Sequence, residues 1–179
     1  MEALIQEWGY IILFLYSFGG GFVALVVASI LAYGGDLNIF YVLIVAGVAN
    51  FIGDQFLFIL ARKNKQQAKE MMKKHKRKVA MAHLMMKKYG ASVVFIQKYI
   101  YGIKTLIPLA MGLTKYDSKK FAFYNVFATI LWTLVIGISS YMLGEIVYKY
   151  IEEFKTYGIV VLIAIVILIA YALQKVQEK

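Results

Sequence analysis

Two lysines, Lys98 and Lys104, lie in a stretch of the chain that is otherwise rich in aromatic and aliphatic residues. Glycines and the single proline of the chain, Pro108, interrupt this stretch. Proline removes a backbone donor and disfavours helix at the residue before it. Irregular backbone that carries charge is tolerated in a bilayer where protein or a water-filled cavity satisfies it. We therefore predict that residues 89–114 form a re-entrant or broken-helix element that belongs to a functional site.

The composition is that of an integral membrane protein. The chain has 179 residues, of which 61% are hydrophobic, and it contains no cysteine, which excludes disulfides and thiolate nucleophiles. We expect one membrane domain over residues 1–179, because no Pro-, Ser- or Gly-rich linker divides the sequence. The first residues, MEALIQE, are acidic, so no cleavable signal peptide is predicted.

The net charge of +10 is concentrated in one segment. Residues Arg62 to Lys88 contain eleven basic residues and one acid, Glu70, so this segment accounts for the whole net charge. A basic run between apolar segments is typical of the cytoplasmic side of a membrane protein and of contact with anionic headgroups, so no nucleic-acid partner is expected. Met71 to Lys88 suits an interfacial helix. Its histidines, His75 and His83, lack a third ligand nearby, so no metal or other cofactor is predicted.

The remaining apolar segments predict membrane helices. Residues 8–35 are interrupted by Gly19, Gly20 and Gly21, which leaves two interpretations: one kinked spanning helix, or a first hairpin that returns to the same side. The predicted spans are residues 37–61, which end at Arg62, residues 121–143 and residues 157–173. Between the last two spans we expect a charge-balanced loop from Glu145 to Lys155.

The distribution of lysines predicts the path of the second hairpin. Lys87 and Lys88 precede it and Lys115, Lys119 and Lys120 follow it, so the positive-inside rule places both of its ends in the cytoplasm. Two hairpins of opposite sense, each followed by a span, indicate an inverted repeat with its site near the membrane midplane. The predicted fold class is thus an all-α polytopic membrane protein. It has two re-entrant hairpins each followed by a transmembrane helix, a basic interfacial helix within the cytoplasmic segment 62–88, and a C-terminal transmembrane helix.

Spaced motifs resemble the DedA family of bacterial inner-membrane proteins, also called SNARE-associated or VTT-domain proteins. The upstream pattern of small residues, a Gly-Asp pair, an aromatic residue and an arginine is matched by Ala28, Leu31, Ala32, Gly35, Gly53, Asp54, Phe58 and Arg62. The downstream pattern is matched by Phe95, Tyr99, Gly102, Pro108, Ala110, Gly112, Phe121, Asn125 and Trp132. The resemblance covers residues 17–141.

The departures from the family pattern lie at charged positions. Lys98 and Lys104 stand where the family usually has arginine, and Tyr101 stands where it often has proline. Lysine keeps the positive charge but not the planar fork that grips a phosphate. At the first hairpin, where family members have an acidic residue, this chain has Gly19-Gly20-Gly21. Asp54 is then the one acid well inside the predicted hydrophobic region.

The resemblance implies a lipid transporter, flippase or scramblase for anionic lipids such as undecaprenyl phosphate or phospholipids, which supports envelope homeostasis. The implied partners are membrane lipids with anionic headgroups and, in a homo-oligomer, further copies of the same chain. Lys98, Lys104 and Arg62 are the expected headgroup contacts, and Asp54 the proton-coupling or counter-charge group. Gln97, Tyr101 and Asn125 are candidates to line the cavity, although Asn125 fits a hydrogen bond between helices equally well. The expected hinge and hairpin residues are Gly19, Gly20, Gly21, Gly102, Pro108 and Gly112.

Two other classes of function stay open. One is a proton-coupled antiporter for small ions or drugs, although the missing acid in the first hairpin weakens this hypothesis. If proton coupling is lost with that acid, an energy-independent scramblase is favoured over a driven pump. A non-transporting assembly factor predicts that neutral substitutions of Lys98, Lys104 and Asp54 are tolerated. An enzyme is disfavoured, because no nucleophile with a general acid or metal ligands is evident, and no catalytic residue is predicted.

Overall fold

The computed structural model describes residues 2–73, 75–100 and 102–153, and the side chains from residue 8 to residue 150 within these ranges. Among the described residues all regular structure is helical and no strand is present. The all-α class is therefore confirmed. The predicted final span, residues 157–173, and the candidate cavity residue Tyr101 lie outside the described residues.

Eight α-helices and two short 3₁₀ turns make up the described chain. Two of the helices are long and apolar enough to cross a membrane, over Ile39–Lys63 and Ser118–Tyr150. The first overlaps the predicted span 37–61, and the second contains the predicted span 121–143 and extends beyond it. The helices are α1 (Glu2–Gly19), α2 (Phe22–Tyr33), α3 (Ile39–Lys63), α4 (Lys65–Lys73), α5 (Lys76–Tyr89), α6 (Val93–Ile96), α7 (Leu106–Leu113) and α8 (Ser118–Glu153), and the 3₁₀ turns are Gly90–Ser92 and Gln97–Tyr99.

The predicted interruption at the first glycine cluster is present. Helix α1 ends at Gly19, and Gly20 and Gly21 adopt φ angles of 148° and 56° before α2 begins. A side chain at either φ is strained, so glycine is the residue that suits this break. The path of this helix pair relative to a membrane stays a prediction.

The second interruption differs in detail from the prediction. Between the 3₁₀ turn that ends at Tyr99 and α7, the described residues Ile100 and 102–105 have irregular backbone, and Gly102 has φ 80°. Pro108 and Gly112 lie inside α7 rather than at the break, and Ile107 is helical, so the expectation of non-helical structure there was wrong. Pro108 is the third residue of α7, where a backbone N–H would have no partner within the helix, so its absence costs little.

A loop was predicted from Glu145 to Lys155, but helix α8 continues to Glu153, where the described residues end. The loop prediction was therefore wrong for residues 145–153. Glu145 and Lys149 are four residues apart, an acid–base spacing that supports helix. Tertiary contacts also hold this end, since the rings of Tyr141 and Tyr148 lie 5.4 and 6.0 Å from that of Tyr33. The Tyr148 hydroxyl donates to Asp36 at 3.3 Å.

The basic segment forms two helices, not the single helix predicted over Met71 to Lys88. Helix α4 ends at Lys73, and His75 is the N-cap residue of α5. Both helices bury small or flexible apolar side chains on one face, and their lysines are mostly exposed. This arrangement still places a basic surface directly after α3, as the charge distribution predicts.

The described chain divides into two compact units, one over residues 2–17, 21–49 and 133–153 and the other over residues 18–20 and 50–132. The core of the second unit includes the stacked rings of Phe58 and Phe121, whose centroids are 4.3 Å apart. Around them pack buried apolar residues of α5, α6, α7, α8 and the segment before α7, namely Ala82, Met85, Val93, Val94, Ile103, Ile107, Met111 and Ala128. This unit contains every charged residue of the predicted site.

Candidate functional site

The ammonium group of Lys98 is the centre of a buried polar cluster. It donates to Oδ1 of Asn50 at 2.6 Å, to Oδ2 of Asp54 at 2.7 Å and to Oγ1 of Thr129 at 2.7 Å. Lys98 is 4% exposed and Asp54 is 3% exposed. An ammonium group has three donors, and all three are used here. The cluster is therefore an ion pair with its remaining hydrogen bonds satisfied by neutral oxygens.

Helix geometry explains how three distant segments of the chain meet at Lys98. Asn50 and Asp54 are four residues apart on α3, so they lie one above the other on the same face. Asn125 and Thr129 share a face of α8 in the same way. The 3₁₀ turn Gln97–Tyr99 brings Lys98 to both helices. Burying a charge without such partners is strongly unfavourable, so the ion pair accounts for the depth of Lys98.

Lys104 lies in the irregular backbone before α7 and has partners of a different kind. Its ammonium donates to the backbone carbonyl of Gly20. It also lies 4.5 Å from the ring centroid of Trp132, over the face of the indole, which is a cation–π contact. Both partners are neutral. Gly20 directly follows the C-terminus of α1, the end of a helix at which cations are stabilised.

Arg62, the third predicted headgroup contact, lies at the end of α3. Its Nε donates to the carbonyl of Gly112 at 3.0 Å, and its Nη2 donates to the carbonyl of Tyr116. The guanidinium also lies 5.1 Å from the ring centroid of Phe58. Arg62 therefore holds the C-terminal end of α7 and the segment that follows it, and it does not share a partner with Lys98 or Lys104.

Several buried polar atoms near these cations have no hydrogen-bond partner among the described residues. They are Nδ2 of Asn50, both side-chain amide atoms of Gln97 and Nε1 of Trp132. Buried groups of this kind normally find a partner, so an unpaired one calls for an explanation. Asn125, by contrast, donates to the carbonyl of Phe51 at 3.3 Å and accepts from Thr129 at 3.5 Å, which fits the hydrogen bond between helices considered above.

Glycines allow two close backbone approaches inside this unit. A methyl group on Gly53 would overlap the carbonyl oxygen of Phe18, and one on Gly112 would overlap that of Phe58. Gly53 immediately precedes Asp54, so the segment that carries the Gly20 carbonyl passes close to the acid-bearing face of α3. Gly112 therefore permits close packing of α7 against α3, and its role as a hinge stays a prediction.

The sequence alone did not identify four participants: Asn50, Thr129, Trp132 as a ring under a lysine, and the Gly20 carbonyl. Asn50 lies four residues before Asp54 and Thr129 four residues after Asn125, so a search for polar residues on the same helix face would have found both. A backbone carbonyl leaves no signal in a sequence, and Trp132 was named only as a match to the family pattern.

The arrangement combines a buried ion pair with a second lysine inside a membrane protein. The charged groups of the cluster are the buried Lys98, the half-buried Lys104 and one carboxylate, that of Asp54, which pairs with Lys98. Ionisable residues inside membrane-spanning proteins generally line substrate or ion pathways. The fold and the cluster together define an all-helical membrane protein with ionisable side chains buried between its helices.

Comparison with known proteins identifies the family. Residues 3–142 match the VTT domain, which is more than half of the chain. The chain therefore belongs to the VTT-domain family, and the resemblance to DedA proteins stated above is confirmed.

The relatives agree with this assignment. The inner membrane protein YohD of Escherichia coli is 22% identical over 153 residues, which cover 86% of this chain and 80% of YohD. Protein DedA of Escherichia coli is 26% identical over 114 residues, covering 62% of this chain and 52% of DedA. Undecaprenyl phosphate transporter A of Staphylococcus aureus is 22% identical over 157 residues, covering 83% and 77%. The protein is thus an inner-membrane protein of this family. No solved structure matches the chain.

Proposed function

We propose that this protein moves anionic lipids, phospholipids or a polyprenyl phosphate, between the leaflets of the inner membrane. The observation that carries the proposal is the pairing of a buried Lys98–Asp54 ion pair with a second lysine, Lys104, whose partners are neutral. The similarity to a protein named undecaprenyl phosphate transporter A supports the same class of cargo. Transport of such lipids serves the upkeep of the cell envelope.

The physical task is to carry a charged headgroup through a region of low dielectric while its tail stays in lipid. Removing an ion from water costs several kcal/mol even after relaxation, and a fixed cation offsets part of this cost. Lys98 and Lys104 supply fixed positive charge within the protein, and the carboxylate of Asp54 neutralises one of these two charges. Arg62, engaged by two backbone carbonyls, contributes mainly by holding α7.

We propose further that the two broken segments are re-entrant hairpins of opposite sense. The break at Gly20 and Gly21 and the break that contains Gly102 are joined by the hydrogen bond from Lys104 to Gly20. In transporters built from inverted repeats, broken helices of this kind meet at the substrate site near the midplane. The Lys104–Gly20 contact is what such a meeting of hairpin tips would provide.

Asp54 is proposed as the counter-charge that tunes the site. Protonation of its carboxylate would release Lys98 to attract an anion, and arrival of an anion would compete with the carboxylate for the lysine. The same buried pair also supports the second candidate function, a proton-coupled antiporter for small ions or drugs, because a carboxylate that exchanges a proton for a bound cation needs this type of environment.

Leaflet exchange in proteoliposomes tests the proposal. Purified protein is reconstituted with a fluorescent phospholipid and, separately, a fluorescent polyprenyl phosphate, and exchange is followed with and without an imposed pH gradient. The variants are wild type, Lys98→Ala/Lys104→Ala, and Lys149→Ala as a matched control, since Lys149 is exposed near the far end of α8. We expect exchange in wild type and control and its collapse in the double variant.

The outcomes separate the candidate functions. Exchange that depends on the gradient indicates a driven transporter, and exchange that does not indicates a scramblase. If folded, inserted wild-type protein exchanges neither lipid, the lipid proposal is refuted and the antiporter or assembly-factor functions take precedence.

A further inference from the structure

An open cavity of about 580 Å³ lies at the start of α8, and none of its lining residues belongs to the cluster around Lys98. A volume of this size falls within the range of small-molecule sites. The cavity wall combines two basic residues, three aromatic residues and one small residue of the 3₁₀ turn Gly90–Ser92, namely Lys119, Lys120, Tyr116, Phe123, Tyr124 and Ala91. The functional-site residues predicted from the sequence include none of these six.

The cations of this cavity are not paired with acids. Lys119 and Lys120 are exposed, and among the described residues neither ammonium forms a salt bridge. The neighbouring carboxylate, that of Asp117, accepts the backbone N–H of Lys120 at 2.8 Å and so caps α8. Residues 115–120 contain three lysines and this one acid, which leaves a net positive charge. The cavity is therefore suited to an anion.

Two tyrosines add hydroxyl donors to the cavity wall. The ring of Tyr124 lies between those of Phe95 and Phe123, with centroids 6.4 and 5.8 Å away in edge-to-face contacts, so packing fixes its position. Burial, the neighbouring Tyr124 phenol and the Asp117 carboxylate raise the pKa of Tyr116 above its ordinary value of 10.0. The phenol of Tyr116 therefore stays protonated at neutral pH. Phenol O–H and ammonium N–H groups are donors that suit phosphate oxygens.

An apolar stripe leads from the cavity along α8. Phe123, Phe127 and Leu131 follow one another at a spacing of four residues, which places them on one face of the helix over about 12 Å. The two phenylalanine rings lie 4.9 Å apart, and they are 60% and 51% exposed. Because α8 is long and apolar enough to cross a membrane from Ser118, this stripe meets the hydrocarbon while Lys119 and Lys120 lie at its edge.

We propose that this cavity binds the phosphate headgroup of an anionic lipid, with an acyl chain of the same lipid lying against Phe123 and Phe127. A soluble phosphate would use the lysines and hydroxyls alone, whereas a lipid also covers the exposed rings beside them. The positive-inside rule assigns this end of α8 to the cytoplasmic leaflet. The site is separate from Lys98, Lys104 and Arg62, and its occupation does not require that the protein moves lipids between leaflets.

Photo-crosslinking locates the lipid. Wild-type protein is reconstituted in phosphatidylcholine vesicles that contain phosphatidylglycerol with a diazirine in one acyl chain, and labelled peptides are identified by mass spectrometry. We expect the label on residues 123–131, and about tenfold less from a phosphatidylcholine probe of the same chain, since that headgroup is neutral overall. The exposed rings of Phe40 and Phe56 on α3 report non-specific contact with lipid. Equal labelling by both probes, or equal labelling of α3 and residues 123–131, overturns the proposal.

Two pairs of substitutions separate this site from general attraction to a basic surface. Lys119→Gln/Lys120→Gln removes the cations but keeps the cap on α8, because the cap uses the backbone of Lys120. Glutamine is a good helix former, so we expect folded protein with about tenfold less labelling by phosphatidylglycerol. Lys69→Gln/Lys73→Gln removes the same charge from the exposed surface of α4 and should be labelled like wild type. An equal loss in both pairs, or no loss in the first, overturns the proposal.

Ala91→Phe tests the cavity without a change of charge. The added ring takes up space within the cavity, so labelling of α8 by phosphatidylglycerol should fall in the folded variant. Ala80→Phe, at an exposed position of α5, is the matched control and should be labelled like wild type. Unchanged labelling in folded Ala91→Phe places the lipid outside the cavity and overturns the proposal.

Two further measurements address other occupants of the cavity. Labelling that persists in the presence of soluble glycerophosphoglycerol supports a lipid, whereas its displacement by this soluble diester would assign the cavity to a free phosphate and overturn the proposal. Cross-links between two copies of the chain at Phe123 or Phe127, without lipid label there, would assign the stripe to a homo-oligomer interface instead.

Discussion

Lys98 Nζ lies 2.7 Å from Asp54 Oδ2, a salt bridge between residues 44 positions apart in the chain, with both side chains almost fully buried. Each charge is tolerated at this depth because the other is present, and the neutral oxygens of Asn50 and Thr129 complete the shell of Lys98. The pair links the 3₁₀ turn of the second broken segment to the middle of α3. It should therefore influence stability as well as transport.

The first prediction concerns the coupling of this pair. Lys98→Met or Asp54→Asn alone leaves one buried group without its ionic partner, and we expect each to destabilise the protein by about 3–5 kcal/mol. The double variant removes both charges and should be less destabilised than the sum of the singles. Chemical unfolding in detergent, followed by far-UV circular dichroism, measures the three values as a double-mutant cycle. Additive losses would show that the two charges are not coupled in the folded state.

Residue types and spacing were sufficient to predict the helical class, two spans and both backbone breaks. The spans follow from uninterrupted apolar length in α3 and α8, and the first break follows from three consecutive glycines, a residue type that alone adopts φ angles such as that of Gly20 without strain. Lys98 and Asp54 were identified as candidates because charge inside apolar sequence needs a partner. Apolar length, consecutive glycines and charges within apolar sequence could be interpreted without knowledge of the tertiary contacts.

Predictions failed where tertiary contacts decide the outcome. The charged residues after Gly144 suggested a loop, but the packing of Tyr33 against Tyr148 continues α8 to Glu153. Pro108 suggested a break, but its place in the first turn of α7 makes it compatible with helix. The neutral partners of Lys104 were not predictable, because a backbone carbonyl at Gly20 and the face of Trp132 have no distinctive pattern in sequence.

The second prediction concerns the close approaches at Gly53 and Gly112. In Gly53→Ala and Gly112→Ala the added methyl overlaps a backbone carbonyl, of Phe18 and Phe58 respectively, and backbone cannot move aside as a flexible side chain can. We expect each variant to lose about 1–3 kcal/mol of unfolding free energy, the usual cost of overpacking. Thermal unfolding in detergent measures it.

Gly19→Ala is the matched control for these variants, because a methyl group there meets no atom within 4 Å and Gly19 is helical. Alanine favours helix over glycine by up to about 1 kcal/mol, so this variant should be neutral or slightly stabilised. If all three substitutions had the same effect, the close approaches would not be what holds these segments together.

The third prediction concerns Arg62 as a clamp on the end of α7. Its guanidinium reaches two carbonyls, those of Gly112 and Tyr116, in a way that the single ammonium of lysine does not reproduce. Arg62→Lys should lower stability by about 1–3 kcal/mol, the range for hydrogen bonds to a charged group, and Arg62→Met by at least as much. Lys63→Met, which removes an exposed neighbouring charge, should stay close to wild type. Protease sensitivity of residues 112–117 is a local readout. Stability equal to wild type in Arg62→Met would show that the clamp contributes nothing.

The fourth prediction concerns the start of α8. Asp117 precedes the helix, and its Oδ1 accepts the backbone N–H of Lys120 at 2.8 Å, an N-cap interaction. This hydrogen bond, with smaller contributions from the backbone of Lys119 and the charges of both lysines, holds the pKa of the Asp117 carboxyl below its ordinary value of 3.8. A group with a depressed folded-state pKa stabilises the protein above its unfolded pKa, and this stabilisation is lost as pH falls through the folded pKa.

Wild-type protein should therefore lose the contribution of Asp117 progressively as the pH approaches and falls below the ordinary value of 3.8. Asp117→Ala lacks the cap at every pH, so its melting temperature should be lower than that of wild type at pH 6, and the gap should narrow at pH 3. Asp117→Asn keeps a capping oxygen that does not titrate, and should show a smaller deficit at pH 6 that changes less with pH. Melting curves of the three proteins at both pH values decide the matter. A gap between wild type and Asp117→Ala that is as large at pH 3 as at pH 6 would show that the charged form of Asp117 does not stabilise the helix start.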